Sequence, residues 1–403
     1  MRRSMERARV TRRGAERWRR GHPWIYRSDV VEPPAAGPGG VVVESETGET
    51  LGTALWSPAS TISLRMLTRD VVSLDERFWS ERVSAALRHR RSLGLPATPG
   101  RLPASAETTA YRVVHAEADG LPSLIVDRFD QYLVVQLLSA GLEAYRDTLV
   151  AVLRRHLEPE GILARNDVPV RQHEDLPRTV EELHGRVPEE VEVREYGVRY
   201  LAALRTGQKT GAFLDQRENR HRAALLARGR ALDCFAYHGS FALHLAAGGA
   251  DEVIAVDSSG EALARALENA RLNGMDRIRA VEANVFDFLR AEEASGREYD
   301  IIVLDPPAFA KRRDAVPQAL RGYKEINLRA MRLLAPGGYL CTFSCSYHVS
   351  REAFRAMLVD AAEDSGRAMR WVEARDQAPD HPEVLQIPET GYLKGAILQA
   401  ADS

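Results

Sequence analysis

IIVLDPP at 301–307 and GYLCTFSCS at 338–346 decide the fold between them. Each opens on an apolar run short enough for a buried strand and ends abruptly in polar residues. The segment joining them, QALRGYKEINLRAMRLLAPGG (318–338), has helical spacing and closes on a Pro-Gly-Gly break. Strand, helix and strand make a βαβ unit, so the two strands are expected to be parallel with their carboxyl ends side by side. Ligands of open α/β sheets bind at those ends. An acid, Asp305, and a thiol, Cys345, are therefore expected at one crevice.

Upstream, ALDCFAYHGSFALHLAAGGADEVIAVDSSGEALARALENARLNG (231–274) reads as strand, turn, helix, strand, helix. Its first strand ends at Asp233–Phe235, and Gly239 is expected to let backbone approach a ligand at the turn. The second strand ends in Asp257, a carboxylate that can accept hydrogen bonds from both ribose hydroxyls of an adenosine. A dinucleotide would need G-x-G-x-x-G to set helix amides against its pyrophosphate. The turn here is Y-H-G-S-F, without that spacing. S-adenosylmethionine has no phosphate; it carries an amine, a carboxylate and a sulfonium, so one acid and one glycine suffice. It is the expected cofactor. A third strand, RAVEANVFDFL (279–289), brings Asn284 toward the adenine edge, although Asn284 and Asp287 are also ordinary helix caps, and Ser258 or Ser259 can cap the helix after Asp257.

Carbon 5 of cytosine is a poor nucleophile until a thiolate adds to carbon 6 while an acid assists at ring nitrogen 3. Cys345 can be that nucleophile and Asp305 that acid. A free thiol is only a few per cent ionised at neutral pH, so the site must supply help that the pattern does not name. Most buried cysteines simply pack, as Cys234 and Cys341 are expected to do inside strands. A zinc site on Cys341, Cys345 and His348 lacks a fourth ligand, and no G-x-S-x-G elbow supports a hydrolase. A D-P-P methyltransferase can also work without a thiol, holding an exocyclic amine or a guanine edge while Phe309 stacks on the base. Only Cys345 separates the two chemistries.

A chain of 403 residues that is 44% hydrophobic and 28% charged is expected to fold as two or three soluble domains. No apolar run is long enough to span a bilayer, and three cysteines fit a reducing cytosol. Net charge is only −2, yet residues 1–20 hold nine arginines against Glu6 and Glu16, a block that reads equally as a phosphate-binding arm or a solvated tail. Only four of the 55 cationic side chains are lysines: Lys209, Lys311, Lys324 and Lys394. Short β-branched strands (RARV, GGVVVES, ETLGTALWS, TISLRMLT) point to a β-rich domain over 1–72. Helices at 75–95 and 142–157 and strands within 110–138 and at 161–166 point to an α+β domain over 75–190. EDLPRTVEELHGRVPEEVEV (174–193) reads as its connector, and 191–403 as a Rossmann-like α/β domain.

At this point the chain resembles, over its whole length, the class I large-subunit rRNA methyltransferases of the cytosine-5 branch, which carry an N-terminal PUA domain. RGHPWIYRSDV (20–30), SPASTISLRML (57–67), EADGLPSLIVDRF (117–129), QKTGAFLDQRENR (208–220), LDPPAFAK (304–311), FSCS (343–346) and HPEVLQIPETGYLKG (381–395) carry the resemblance. It implies that Asp233, Gly239, Asp257, Asn284, Gln216 and Asp305 hold the cofactor. It places Cys345 as nucleophile and Asp305 as its acid, with Phe309, Lys311, Arg217 and Arg220 on the RNA side or near the cofactor carboxylate. It implies large-subunit rRNA as partner, a cytoplasmic location, and a homodimer as one assembly to consider. His238 stands where a small hydroxyl residue is more usual, and Asn284 where an acid is. A proline fills the place of the second cysteine that other cytosine-5 enzymes use for product release. The competing readings are a guanine-directed enzyme of the same fold and an RNA-binding assembly protein with a vestigial site.

Overall fold

The computed structural model describes residues 5–95 and 108–401. These divide into two compact units, one made of the described residues up to Val193 with Leu201–Leu214 and Pro379–Thr390, the other of Arg194–Tyr200, Asp215–Ala378 and the chain from Gly391 on. None of the described helices is long and apolar enough to cross a membrane.

The first unit contains two sheets. Strands Trp24–Ile25, Leu64–Thr68, Thr50–Trp56, Gly39–Ser45, Arg7–Val10 and Val30–Glu32 lie in that order in a six-stranded sheet, and the alternating apolar residues of the central ones form its core. A five-stranded sheet follows, ordered Val180–Gly185, Gly161–Arg165, Tyr132–Leu137, Leu124–Phe129 and Ala110–His115. Leu55, Leu67 and Leu74 enter the same core as Trp79, Val83 and Leu87 of helix Glu76–Ser92, so the β-rich and α+β segments fold as one unit.

Three expectations are corrected. The arginine block is not a free arm: Arg2 and Arg3 lie outside the described residues, and the rest lie on strand Arg7–Val10, on helix Arg12–Arg19 and at its C-cap, Arg20. Its guanidinium groups pair locally, Arg7 with Glu44, Arg9 with Glu32, Arg13 with Asp29 and Arg19 with Glu49, while Arg17 stacks over Tyr26. The helix expected over 142–157 is broken into Ala140–Glu143 and Arg146–Leu157. The acidic connector contributes an edge strand, Val180–Gly185, antiparallel to Gly161–Arg165. Within the first unit, Leu201–Leu214 and Pro379–Thr390 are tied to the preceding chain. Arg90 donates to the Asp380 carbonyl (2.7 Å), the Asp380 carboxylate accepts from the Arg112 backbone (2.8 Å), and Thr210 donates to Asp127 (2.6 Å).

The second unit is built on helix α1 (Arg217–Ala224) and a doubly wound sheet. Its elements are β1 (Arg230–Cys234), α2 (Ser240–Ala247), β2 (Glu252–Asp257), α3 (Gly260–Leu272), β3 (Ile278–Glu282), α4 (Val285–Ser295), β4 (Tyr299–Leu304), α5 (Val316–Arg332), β5 (Leu334–Ser344), α6 (Arg351–Ser365), β6 (Met369–Arg375) and β7 (Lys394–Ala400). The strand order is β3-β2-β1-β4-β5-β7-β6, parallel except for β7. Ile301–Leu304 are all buried, as expected of a strand with helices on both faces. Helix α5 turns Ala319, Tyr323, Ile326, Ala330 and Met331 toward the sheet at three- and four-residue spacing. Chain order reverses between β1 and β4, the position at which doubly wound sheets open a crevice.

Candidate active site

Four side chains stand at the carboxyl ends flanking that crevice: Asp233 on β1, Asp257 on β2, Asp305 after β4 and Cys345 after β5. The loop from β1 to α2 is strained. Phe235 and Tyr237 have left-handed backbones (φ 65° and 50°), a conformation that costs about 1–3 kcal/mol for such residues. The loop is held by Ala236 N–H on the Val256 carbonyl (3.0 Å) and Tyr237 N–H on the Asp257 carboxylate (2.9 Å). Asp257 accepts through its other oxygen from Ser259 N–H (2.9 Å), and the Ser259 hydroxyl caps α3. Asp257 is thus free of the capping role and has one lone pair per oxygen left for ribose hydroxyls.

Asp233 is fully buried. One oxygen accepts from Ala242 N–H (2.9 Å) and the other, Oδ1, has no partner. Burial pushes its carboxyl well above the usual range against that one hydrogen bond, and the charges of Asp305 and Asp257 add to the shift. Such an oxygen suits a cationic ligand, and the ammonium of S-adenosylmethionine supplies one. The residues present therefore fit this cofactor. Gly239 also has a packing reason to be glycine. Its φ is +81°, and a Cβ there would lie 2.7 Å from the Ala266 Cβ, so it lets α3 pack close.

Asn284 caps α4, its side-chain oxygen accepting from Phe286 N–H (2.9 Å). Gln216, buried just before α1, donates to Asp305 (2.8 Å) and accepts from Asn219 (2.6 Å). Arg220, expected near the cofactor carboxylate or the RNA, lies in the interior. It is 1% exposed and grips Glu195 through two nitrogens (2.6 and 2.7 Å). Burial alone would raise the Glu195 carboxyl, but Arg220, with His244 and Arg217, holds it down to about 2. Arg217 is also buried, against Glu218. Lys311 is exposed. Phe309 is half-buried, stacked at a tilt on Tyr323 (4.6 Å between centroids) and edged by Phe235 and Phe286.

The thiol of Cys345 is half-buried and directed at the D-P-P loop, its Sγ 3.9 Å from the Pro306 carbonyl. Ser346 ties the same two loops together. Its hydroxyl accepts from Ala310 N–H (3.0 Å) and pairs with the Tyr323 hydroxyl (2.8 Å). Sequence reasoning missed Ser346 and Tyr323, although the second serine of S-C-S was a signal. It also missed Lys394, a lysine on an apolar strand in a lysine-poor chain. His238 was noted only for its unusual place; both its ring nitrogens are buried without a partner beside Tyr200, and burial lowers it to about 4. Among the described residues, no group of three or more His, Cys, Asp or Glu is arranged to hold a metal.

The profile of the S-adenosylmethionine-dependent methyltransferase family matches residues 117–397, and that of the PUA-like domain matches 8–69. Ribosomal RNA large subunit methyltransferase I of Shewanella amazonensis is 40% identical over 389 residues, covering 94% of this chain and 95% of its own. That of Aeromonas hydrophila is 41% identical over 392 residues, covering 94% and 96%. Among solved structures, a methyltransferase complexed with SAH superposes with a TM-score of 0.81 at 21% identity over 98% of this chain and 100% of its own. A Streptococcus mutans protein described as a SAM-dependent methyltransferase gives 0.80 at 20% identity with the same coverage, a likeness of fold. The chain belongs to the S-adenosylmethionine-dependent methyltransferases, in the ribosomal RNA large subunit methyltransferase I family, with an N-terminal PUA-like domain.

Proposed function

We propose that this enzyme forms 5-methylcytosine in large-subunit rRNA, with Cys345 as the nucleophile and Asp305 as the acid at the base. The observation that carries the reading is the thiol of Cys345 facing the Pro306 carbonyl, beside Asp305 and at the same sheet edge as the partnerless Asp233 oxygen. Bound S-adenosylmethionine supplies an electrophilic methyl group; Asp233 would hold its amine and Asp257 its ribose. The Cys345 thiolate adds to carbon 6 of the target base, forming a sulfur–carbon bond and pushing ring electrons toward nitrogen 3. Asp305, oriented by Gln216, meets that nitrogen with a proton or hydrogen bond. Carbon 5 thereby becomes nucleophilic. When its proton leaves after methylation, the sulfur–carbon bond breaks and the thiolate returns.

The half-buried ring of Phe309 and the exposed Lys311 lie on the loop that would meet the flipped base, whose unstacking costs about a few kcal/mol. The PUA-like domain would contribute RNA backbone contacts through exposed arginines such as Arg12. The test uses labelled S-adenosylmethionine and unmodified large-subunit rRNA, followed by nucleoside analysis. Label in 5-methylcytidine, abolished by Cys345→Ala while cofactor binding persists, is the expected result. Label in a methylated guanine, undiminished in Cys345→Ala, would replace this reading with non-covalent chemistry on another base.

A further inference from the structure

Lys394 begins β7, directly opposite Ser344 in the antiparallel pairing with β5 and one residue short of Cys345 in register. Its side chain is buried (6% exposed), and Nζ donates to the carbonyls of Ser346 (2.6 Å) and Tyr392 (3.1 Å). An ammonium has three N–H donors, so these two contacts leave one over. Among the described residues no carboxylate pairs with it. The ionisable groups acting on Nζ are the Cys345 thiol, across the strand pair, and the Arg351 guanidinium at the start of α6, which is itself paired with Asp376 (2.8 Å). A buried ammonium without a counter-ion is costly, and proteins avoid it. Burial indeed lowers this lysine to about 8, with Cys345 working in the opposite direction.

We propose that Lys394 is the counter-ion that holds the Cys345 sulfur as a thiolate, making it a positioning residue for the nucleophile. The inference rests on the assignment of Cys345 as the reacting thiol. The thiol proton leaves to water, and the charge that remains on sulfur faces an ammonium pinned by two carbonyl dipoles. The pair gains because each charge cancels the other's burial. Carbon 6 then meets a sulfur already ionised, and the sulfur returns to the same partner when the product leaves.

The experiment needs no RNA, so it can fail while the cytosine assignment stands, and the reverse. Full-length native protein is alkylated with iodoacetamide across a pH series, and modification of Cys345 is followed by peptide mass. Cys234 and Cys341 are fully buried and stay silent. The expected wild-type midpoint lies at least about one pH unit below the ~8.5 of a free thiol. Lys394→Met should raise it by about one unit or more, a roughly tenfold loss of thiolate and of alkylation rate at pH 7. Lys394→Arg, which restores a cation, should keep the midpoint low. A Lys394→Met protein that binds S-adenosylmethionine and titrates like wild type overturns the proposal. Should that variant fail to fold, the wild-type curve decides alone, because a midpoint at or above the free-thiol value is equally fatal.

Discussion

Replacing Asp233 by Asn should stabilise the ligand-free enzyme and cripple its cofactor binding. The substitution keeps the side chain's shape and its bond from Ala242 N–H but removes a buried charge whose second oxygen has no partner. In the unfolded chain this carboxyl titrates near ~3.9. In the native protein it is pushed well above that, chiefly by burial. The native state therefore holds the proton more tightly than the unfolded state. The stability it contributes is complete below about pH 4 and is lost as pH rises through the raised native value. Asp233→Asn escapes that loss. An unsatisfied buried polar group costs about 1–3 kcal/mol, and the amide still leaves a neutral donor in place, so the gain should sit within that range. At about 2–4 °C per kcal/mol for a unit of this size, the melting temperature at pH 8 should rise by about 2–12 °C. The cofactor ammonium meanwhile loses a charged acceptor worth about 1.5–3 kcal/mol, weakening binding by roughly 10- to 150-fold. Thermal melts at pH 5 and pH 8, with and without S-adenosylmethionine, and calorimetric titration measure both effects. A variant that melts lower than wild type at pH 8 without ligand, yet binds the cofactor as tightly, would refute the role given to Asp233.

Three further outcomes follow from buried contacts. Gln216→Leu removes the donor to Asp305 and should lower kcat at saturating cofactor by roughly 10- to 100-fold, the value of one charged hydrogen bond; unchanged turnover would show that Asp305 orients itself. Gly239→Ala should cost about 1–3 kcal/mol by the left-handed φ and the 2.7 Å approach to Ala266, and Ala266→Gly should recover part of that loss in thermal melts. Arg220→Leu should destabilise by about 3–5 kcal/mol, because it strands the Glu195 carboxylate in the interior. A normal melting temperature with weakened RNA binding would return Arg220 to the RNA surface.

The legible part of this protein is what short-range pattern encodes. Apolar runs such as IIVL and VIAV place strands, the helical spacing of 318–338 places the crossover, and handedness then brings Asp233, Asp257, Asp305 and Cys345 to one sheet edge. The strands and helix of the α+β segment are legible for the same reason, except where a turn at Ala144–Tyr145 breaks one helix into two. The arginine-rich start was misleading because composition reports charge but not its partners. Glu32, Glu44, Glu49 and Asp29 arrive from other strands and turns to pair with Arg9, Arg7, Arg19 and Arg13.

The sequence alone determined the layered α/β architecture and which acids and thiol stand at the strand ends, since both depend on side-chain periods of two and 3.6 and on local turn chemistry. Tertiary structure alone decided who faces whom across long stretches of chain. It sets Gln216 on Asp305, Glu195 on Arg220, Ser346 between Ala310 and Tyr323, and the Lys394 ammonium on the Ser346 carbonyl. Burial, and with it the cost of an unpaired charge, exists only once the core has closed. No local pattern carries that information, because the partner that satisfies a buried group is chosen by the packing of segments far apart in the chain.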